Sequence, residues 1–351
     1  MDSFCSALGL HYLCIMSSRY IVRTYTSSEQ LPSLLENDFF HSPMLFSAFE
    51  QAPGSTPYMF VAYKSDAVNG VDTIFPFSAI AGQLLAVVRR RKGIFVPRLF
   101  AQGRVYGEGV YAEDVVKEEV FGLLLECVTH TFVRRLCFYI EFSDLSSKMF
   151  GYRLFRTSGY FPVRWMQVTN ELTENAFKGL SKRIKRQISR SEASGTKLCK
   201  AVDSFEIGEL YTMMHNYYRF KIQRIFPRRC FFEILRSTEN HFILLTKHGD
   251  KVIGGCTLIF RGTDGYVWYM ASRRKMYVKY HPDTMTVWYA LHVCREHGME
   301  RLHFMNTGIP FRKNRYREFL LQFGGNPSSC YRWFRVSIGW LNRLLKWIYR
   351  E

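Results

Sequence analysis

One order of secondary-structure signals runs twice along this chain, and that repetition limits the fold more than any single motif does. In the first half, Phe39-Phe40 and an apolar helical stretch precede a strand-like run at 58–63, a polar turn at Lys64-Ser65-Asp66, and Thr73-Ile74-Phe75. The second half answers with 231–235, a strand-like run at 241–246, a turn at His248-Gly249-Asp250-Lys251, and Val252-Ile253. Further on, a helical stretch at 116–135, the strand-like 137–140 and the run 155–162 are echoed by 287–297, 301–304 and 319–327. Repetition over so long a period predicts a duplicated domain and argues against a solenoid of short repeats.

A chain of 351 residues accommodates two domains of about 150 residues each. The repeat places them at 17–165 and 166–335, with a segment 1–16 before them that is disordered or precedes the native start, and a C-terminal amphipathic helix at 336–351 after them. Apolar residues make up 47% of the chain and aromatic residues 16%, which excludes a disordered protein and suits aromatic-rich sheets. In the second half, strand-like runs at 242–246, 252–261 and 266–271 are separated by Gly- and Asp-containing turns, the pattern of an antiparallel meander. A helix is expected at 283–296, with Pro282 near its first turn and Gly298 as its stop, followed by a strand at 302–306. The class is α+β, each domain a mixed, mostly antiparallel sheet flanked by helices.

The formal net charge is +18, densest at 178–190, 219–229 and 312–317. A surplus of that size concentrates polyanions at the surface, so the expected partners are nucleic acid, sugar nucleotide, lipid phosphate or a membrane face. Between 178 and 194, Leu180, Ile184 and Ile188 recur four apart while Lys182, Arg183, Lys185, Arg186 and Arg190 occupy the other faces of a helix. Those cations either solvate the helix or contact phosphate. A second helix at 207–219 carries Tyr217 and Tyr218, and a basic, aromatic connector with Arg219, Arg224 and Phe226 follows it.

The nine cysteines are scattered singly, with no C-x-x-C and no Cys/His cluster. They fit reduced thiols of a cytoplasmic protein, and they supply neither a disulfide framework nor a metal site. No run of about eighteen apolar residues exists to span a bilayer. Near the C-terminus Trp340, Leu344, Trp347 and Ile348 fall on one helical face, with Arg343, Lys346 and Arg350 elsewhere. Such a helix docks on the first domain or the domain junction, or it lies on an anionic membrane surface.

A basic helix, a Tyr-rich helix, Phe-Phe before a three-strand meander, a helix ending in Gly, a short strand and a terminal F-x-x-x-F-G-G resemble the second half of the Fem family. These are the aminoacyltransferases that build peptidoglycan interpeptide bridges, relatives of the wider GNAT superfamily of acyltransferases. The resemblance implies tandem GNAT-like domains. It implies transfer of an aminoacyl or acyl group to an amine of a cell-wall, lipid-linked or exopolysaccharide precursor at the inner membrane face. The donor, aminoacyl-tRNA or acyl-CoA, would be a cosubstrate, with no tightly bound cofactor and no metal.

The stretch 180–188 is similar to the family's basic segment near the cleft, which makes Lys182, Arg183 and Arg186 candidates for phosphate contact. Tyr218, Arg219, Arg224, Tyr269, Arg273, Lys313 and Arg315 complete the candidate substrate-binding set. Two departures stand out. Where family members carry F-K-x-x-F-G, this chain has Leu320 at the lysine position, and Lys313, Arg315 and Arg317 are the nearest basic substitutes. The run 273–282, where acyl-CoA-binding domains place a Gly-rich pyrophosphate turn, contains no glycine, which argues against acetyl-CoA held in that mode.

Acyl transfer to an amine requires a proton acceptor and donors for the developing oxyanion. Asp283, Asn306 and Tyr316 are the candidates for that chemistry, although Asp283 also suits a helix start, and Asn306 a simple turn. The histidines lie singly, and no Ser-His-Asp order, GxSxG or Walker sequence is present. Two functions fit: a Fem-like N-acyltransferase, and a non-catalytic basic protein that binds RNA or an anionic glycan on the same duplicated fold.

Overall fold

The computed structural model describes residues 15–16, 19–35, 38–65, 79–90, 101–145, 149–172, 179–218, 226–236, 238 and 240–350. Residues 1–14, the repeat element at 73–75, and Arg219 and Arg224 lie outside the described residues. The chain forms two compact units: 1–163 together with 331–351, and 164–330.

Unit 1 is built on strands β1 (Ile15–Met16), β2 (Tyr20–Tyr25), β3 (Ser55–Lys64), β4 (Ile80–Arg90), β5 (Ala101–Tyr106) and β7 (Tyr139–Ser143). Neighbours are antiparallel from β1 through β5, with Ile15 opposite Val22, and the short β6 (Val110–Tyr111) pairs with β4. Helix α1 (Pro43–Glu50) begins at Ser42, whose side chain accepts a hydrogen bond from the Leu45 N–H. β5 and β7 are parallel, and α2 (Lys117–Arg134) makes the crossover between them. Glu118 and Glu119 in its first turn and Arg134 in its last complement the helix dipole. Its Phe121, Leu124, Leu125, Val128 and Phe132 recur at helical spacing and are buried in the core with Phe60, Leu84, Val105 and Phe142. After α3 (Tyr152–Thr157), the sheet of unit 1 closes with residues 331–336 of β14 (Asn326–Val336), antiparallel to β7, with Trp333 opposite Phe142.

Unit 2 repeats that order. Strands β9 (Thr196–Lys200), β10 (His241–His248), β11 (Lys251–Arg261) and β12 (Asp264–Ser272) form an antiparallel meander. Helix α7 (Pro282–Glu296) crosses over to β13 (Arg301–Phe304), which runs parallel to β12, and β8 (Phe161–Glu171) then pairs antiparallel with β13. α4 (Lys182–Ala193), α5 (Ser204–Tyr218), α6 (Arg229–Leu235) and α8 (Arg315–Leu321) complete the unit. Its core joins Leu244, Cys256, Leu258, Met285, Val287, Leu302, Phe304, Leu320 and Phe323. The meander has one more strand than the sequence indicates. β9, T-K-L-C-K, is half-exposed and weakly apolar, so it carries little strand signal.

Both units are thus α+β, with mixed and mostly antiparallel sheets. In each, the last strand of the sheet is contributed by the other half of the chain, β14 in unit 1 and β8 in unit 2.

The final helix is α9 (Gly339–Ile348). It belongs to unit 1, but its apolar face is not covered: Trp340, Leu344, Trp347 and Ile348 are all exposed. The reason is which face docks. Asn342 donates from Nδ2 to the Gly159 carbonyl at 3.0 Å and accepts from the Val336 N–H at 2.9 Å, and Tyr349 stacks on Phe161.

Candidate functional site

The cationic face of α4 opens onto the start of α7 within unit 2. α4 is capped by Ser181, whose hydroxyl accepts the Ile184 N–H at 3.3 Å, and it is anchored by buried Ile184, Ile188 and Ser191. Two polar links key it to α7 and to the turn before it. Thr284 Oγ1 donates to Gln187 Oε1 at 2.9 Å, and Ser191 Oγ lies 2.9 Å from the Tyr280 carbonyl oxygen. With those residues turned inward, Lys182, Arg183, Arg186 and Arg190 are left facing solvent.

The chain enters α7 through His281, a non-glycine residue in the left-handed region at φ 39° and ψ 54°. Pro282 occupies the first helical turn, where its missing N–H costs nothing. Gly254 on β11 lets that turn approach the sheet: a Cβ there would sit 2.6 Å from Thr286 Oγ1 and 2.9 Å from the Pro282 carbonyl oxygen. Asp283 Oδ1 accepts the Thr284 N–H at 3.0 Å, so the carboxylate satisfies one of the helix's free donors.

Two adjoining cavities lie here. One of about 390 Å³ is lined by Lys182, Arg183, Arg186, Gln187, Arg190 and His281. The other, of about 610 Å³, is bordered by Arg183, Gln187 and His281, by Arg274 and Lys275, by 282–284, and by Arg315, Glu318, Phe319 and Gln322 on one face of α8. The larger volume is in the range of small-molecule sites. Seven Lys or Arg side chains and two carboxylates line the pair, so the site selects anions. Burial lowers the pKa of His281, the cations Arg190 and Arg183 lower it further, and Asp283 opposes them. The imidazole is held neutral at pH values where a free histidine begins to protonate.

The sequence candidates divide sharply. Lys182, Arg183, Arg186, Asp283 and Arg315 line the cavities. Tyr218 and Tyr269 are instead buried in an aromatic cluster with Phe226, whose ring centroid lies 5.2 Å from each. Tyr316 packs against the core of unit 2, its hydroxyl 4.0 Å from Met270 Sδ, and Asn306 turns the chain after β13 at φ 69°. Neither lines these two cavities, and neither does Arg273, whose N–H donates to the Ile253 carbonyl at 2.8 Å. Lys313 is exposed, 4.0 Å from Glu318.

Of the three basic substitutes for the missing lysine, Arg315 alone reaches the cavity. Arg317 donates to the carbonyls of Ile309 at 3.0 Å and Arg312 at 2.9 Å and so holds the loop before α8. Leu320 is fully buried, which explains an apolar residue at that place. Sequence reasoning passed over Gln187, Arg274, Lys275, His281 and Thr284. The available signal was the Arg-Arg-Lys run ahead of His281-Pro282, a cationic turn entering a helix.

Residues 178–316 match the model of the acetyltransferase (GNAT) domain family. Unit 2 carries a GNAT domain. Among solved structures, FemX matches with a TM-score of 0.58 at 11% identity, covering 91% of this chain and 96% of that one. L-PGS from Bacillus licheniformis matches with a TM-score of 0.50 at 12% identity, covering 76% of this chain and 86% of its own. At such identities the likeness is one of fold alone. No curated protein matches the chain. In the GNAT domain, α7 is the helix that follows the meander and makes the parallel crossover to β13, and its N-terminus is where the cationic cavities open. Among the described residues no group of three or more His, Cys, Asp or Glu could hold a metal, and no helix is long and apolar enough to cross a membrane.

Proposed function

We propose that this protein is an N-acyltransferase that moves an aminoacyl or acyl group from a phosphate-bearing donor to an amine of a cell-wall, lipid-linked or exopolysaccharide precursor. The observation that carries the reading is the cationic cavity at the start of α7 in a GNAT domain, lined by Arg183, Arg274, Lys275 and Arg315. Aminoacyl-tRNA and acyl-CoA share the chemistry this cavity fits: phosphate groups attached to an activated ester or thioester. FemX among the structural neighbours carries the name of the Fem family, whose resemblance implies an aminoacyl donor and a cell-wall acceptor.

In this reading the guanidinium groups bind and orient the donor's phosphates, which fixes its carbonyl carbon against the acceptor amine. The amine nitrogen attacks that carbon, the C–O or C–S bond to the carrier breaks, and the nitrogen loses one proton. His281 is the cavity group suited to take that proton, being kept neutral by burial and by Arg190 and Arg183. Asp283 turns one carboxylate oxygen to the α7 backbone and acts as a positioning group.

The test is direct. Purified full-length protein is incubated with acetyl-CoA or with aminoacyl-tRNA and an amine-bearing, lipid-linked glycan precursor, and the acceptor is weighed by mass spectrometry. A mass increase confined to the amine, lost in the Arg183→Ala, Arg315→Ala double variant at unchanged melting temperature, supports the reading. If neither donor yields an acylated amine with the wild-type chain, while RNA or anionic glycan still binds, the protein is a non-catalytic binder on this fold.

A further inference from the structure

α9 has one tethered face and one open face. At 3.6 residues per turn, Asn342 and Tyr349 lie on the side opposite Trp340, Leu344 and Trp347. The first pair holds the helix to unit 1 through Gly159, Val336 and Phe161. The second set therefore points away from the core, and its exposure is large: Trp340 64%, Trp347 68%, Ile348 55% and Leu344 45%. A contiguous face of two tryptophans and two aliphatic side chains is more than the scattered apolar residues of an ordinary surface.

We propose that α9 is a membrane-docking helix whose open face inserts into the interfacial layer of an anionic bilayer. The charge pattern selects that occupant. Arg343, Lys346 and Arg350 flank the apolar face, no acidic residue occurs from 337 to 350, and the whole chain carries a net charge of +18. Cations beside an apolar strip match lipid phosphates at the depth where tryptophan rings settle. A second copy of the same helix fits poorly, because antiparallel or parallel pairing of two such faces sets like charges beside one another. The inference stands on α9 alone and does not depend on the catalytic reading of unit 2.

The experiment is co-sedimentation of the full-length protein with vesicles of phosphatidylcholine alone or of phosphatidylcholine mixed with phosphatidylglycerol, without substrate. The wild type is expected to pellet with the anionic vesicles, less so at high salt, and to stay in solution with the neutral ones. Trp340→Ala with Trp347→Ala should lower partitioning by at least about tenfold, since each removes a large apolar group from the interface. Arg343→Glu with Lys346→Glu should lower it on anionic vesicles by about fivefold per residue. All four sites are exposed or half-buried, so the melting temperature should hold, and it is measured alongside. Failure of the wild type to bind anionic vesicles overturns the proposal, as does equal binding to both vesicle types. Undiminished binding by the tryptophan variant also overturns it, by moving the contact to another basic surface. If the wild type is a dimer by light scattering and the tryptophan variant a monomer, the face is covered by a second copy and the proposal fails.

Discussion

Arg183 borders both cavities, so its removal is the sharpest single perturbation of the site. The side chain is exposed, and α4 is held by Ile184, Ile188 and Ser191 on its other face, so Arg183→Ala should change stability by no more than about 1 kcal/mol. Its contribution to binding is larger. A charge-assisted hydrogen bond to phosphate contributes about 1.5–3 kcal/mol net, and about 1.4 kcal/mol is tenfold, so affinity should fall about 10- to 100-fold. Arg315 stands on a different helix, α8. If the two guanidiniums bind separate phosphates, the double variant should lose the product of the single losses, whereas a shared phosphate gives less than the product. Calorimetric titration with coenzyme A and with a tRNA, at low and near-physiological salt, reads both effects. The slope of log affinity against log salt for the tRNA should shrink by about one contact per arginine removed. Equal affinity of variant and wild type for both probes would refute the assignment of these cavities to phosphate.

Three further predictions concern stability. Glu141 Oε1 lies 3.1 Å from Arg104 and 3.2 Å from Arg332, all buried in unit 1. Glu141→Ala leaves two guanidiniums without that carboxylate and should cost about 3–5 kcal/mol in guanidinium chloride unfolding. At Gly324, φ is +80° and an added Cβ would meet the Gly179 backbone at 3.0 Å. Gly324→Ala should therefore destabilise by at least about 1–2 kcal/mol, and a neutral substitution would contradict that packing. Burial lowers the His241 pKa to about 4, against the pull of its hydrogen bond to the Leu235 carbonyl. The unfolded chain then binds the proton first, so stability is full above pH 6.5 and is lost as pH falls toward 4, by about 3 kcal/mol. Replacing His241 with asparagine should flatten that slope.

The fold was legible where periodicity and turn chemistry agreed. Gly249-Asp250 and Gly262-Thr263 mark the two tight turns of the meander, and the structure pairs His248 with Lys251 and Arg261 with Asp264 around them. The stripe of Leu180, Ile184 and Ile188 likewise located α4 to within a turn. What the sequence did not disclose is which half owns the last strand of each sheet. β8 follows the first half's helices and β14 the second's, yet their pairings with β13 and β7 place them the other way round. Local pattern specifies that a segment is a strand and leaves the choice of partner to tertiary packing.

The site was legible in its charges and hidden in its geometry. Counting Lys and Arg found α4, because an amphipathic helix with a narrow apolar stripe must present its remaining faces to solvent. The absence of glycine in 273–282 argued against a Gly-rich pyrophosphate turn and said nothing of how the chain enters α7, which it does with His281 in the left-handed region. A non-glycine residue there costs about 1–2 kcal/mol, and such strain persists where the surroundings fix it. Here Pro282 fixes the helix start and the Ser191–Tyr280 contact fixes the preceding turn, while Gln187 holds Thr284 just beyond. The same constraints bring an imidazole, kept neutral by burial and by Arg190 and Arg183, to the wall that both cavities share. Replacing His281 with glycine would relieve the backbone and remove the imidazole together. Asparagine, which tolerates the left-handed region, would remove the proton acceptor and keep the turn. In the proposed acyl transfer, a His281→Asn variant should therefore retain donor affinity and lose turnover, a split that a purely structural histidine would not produce.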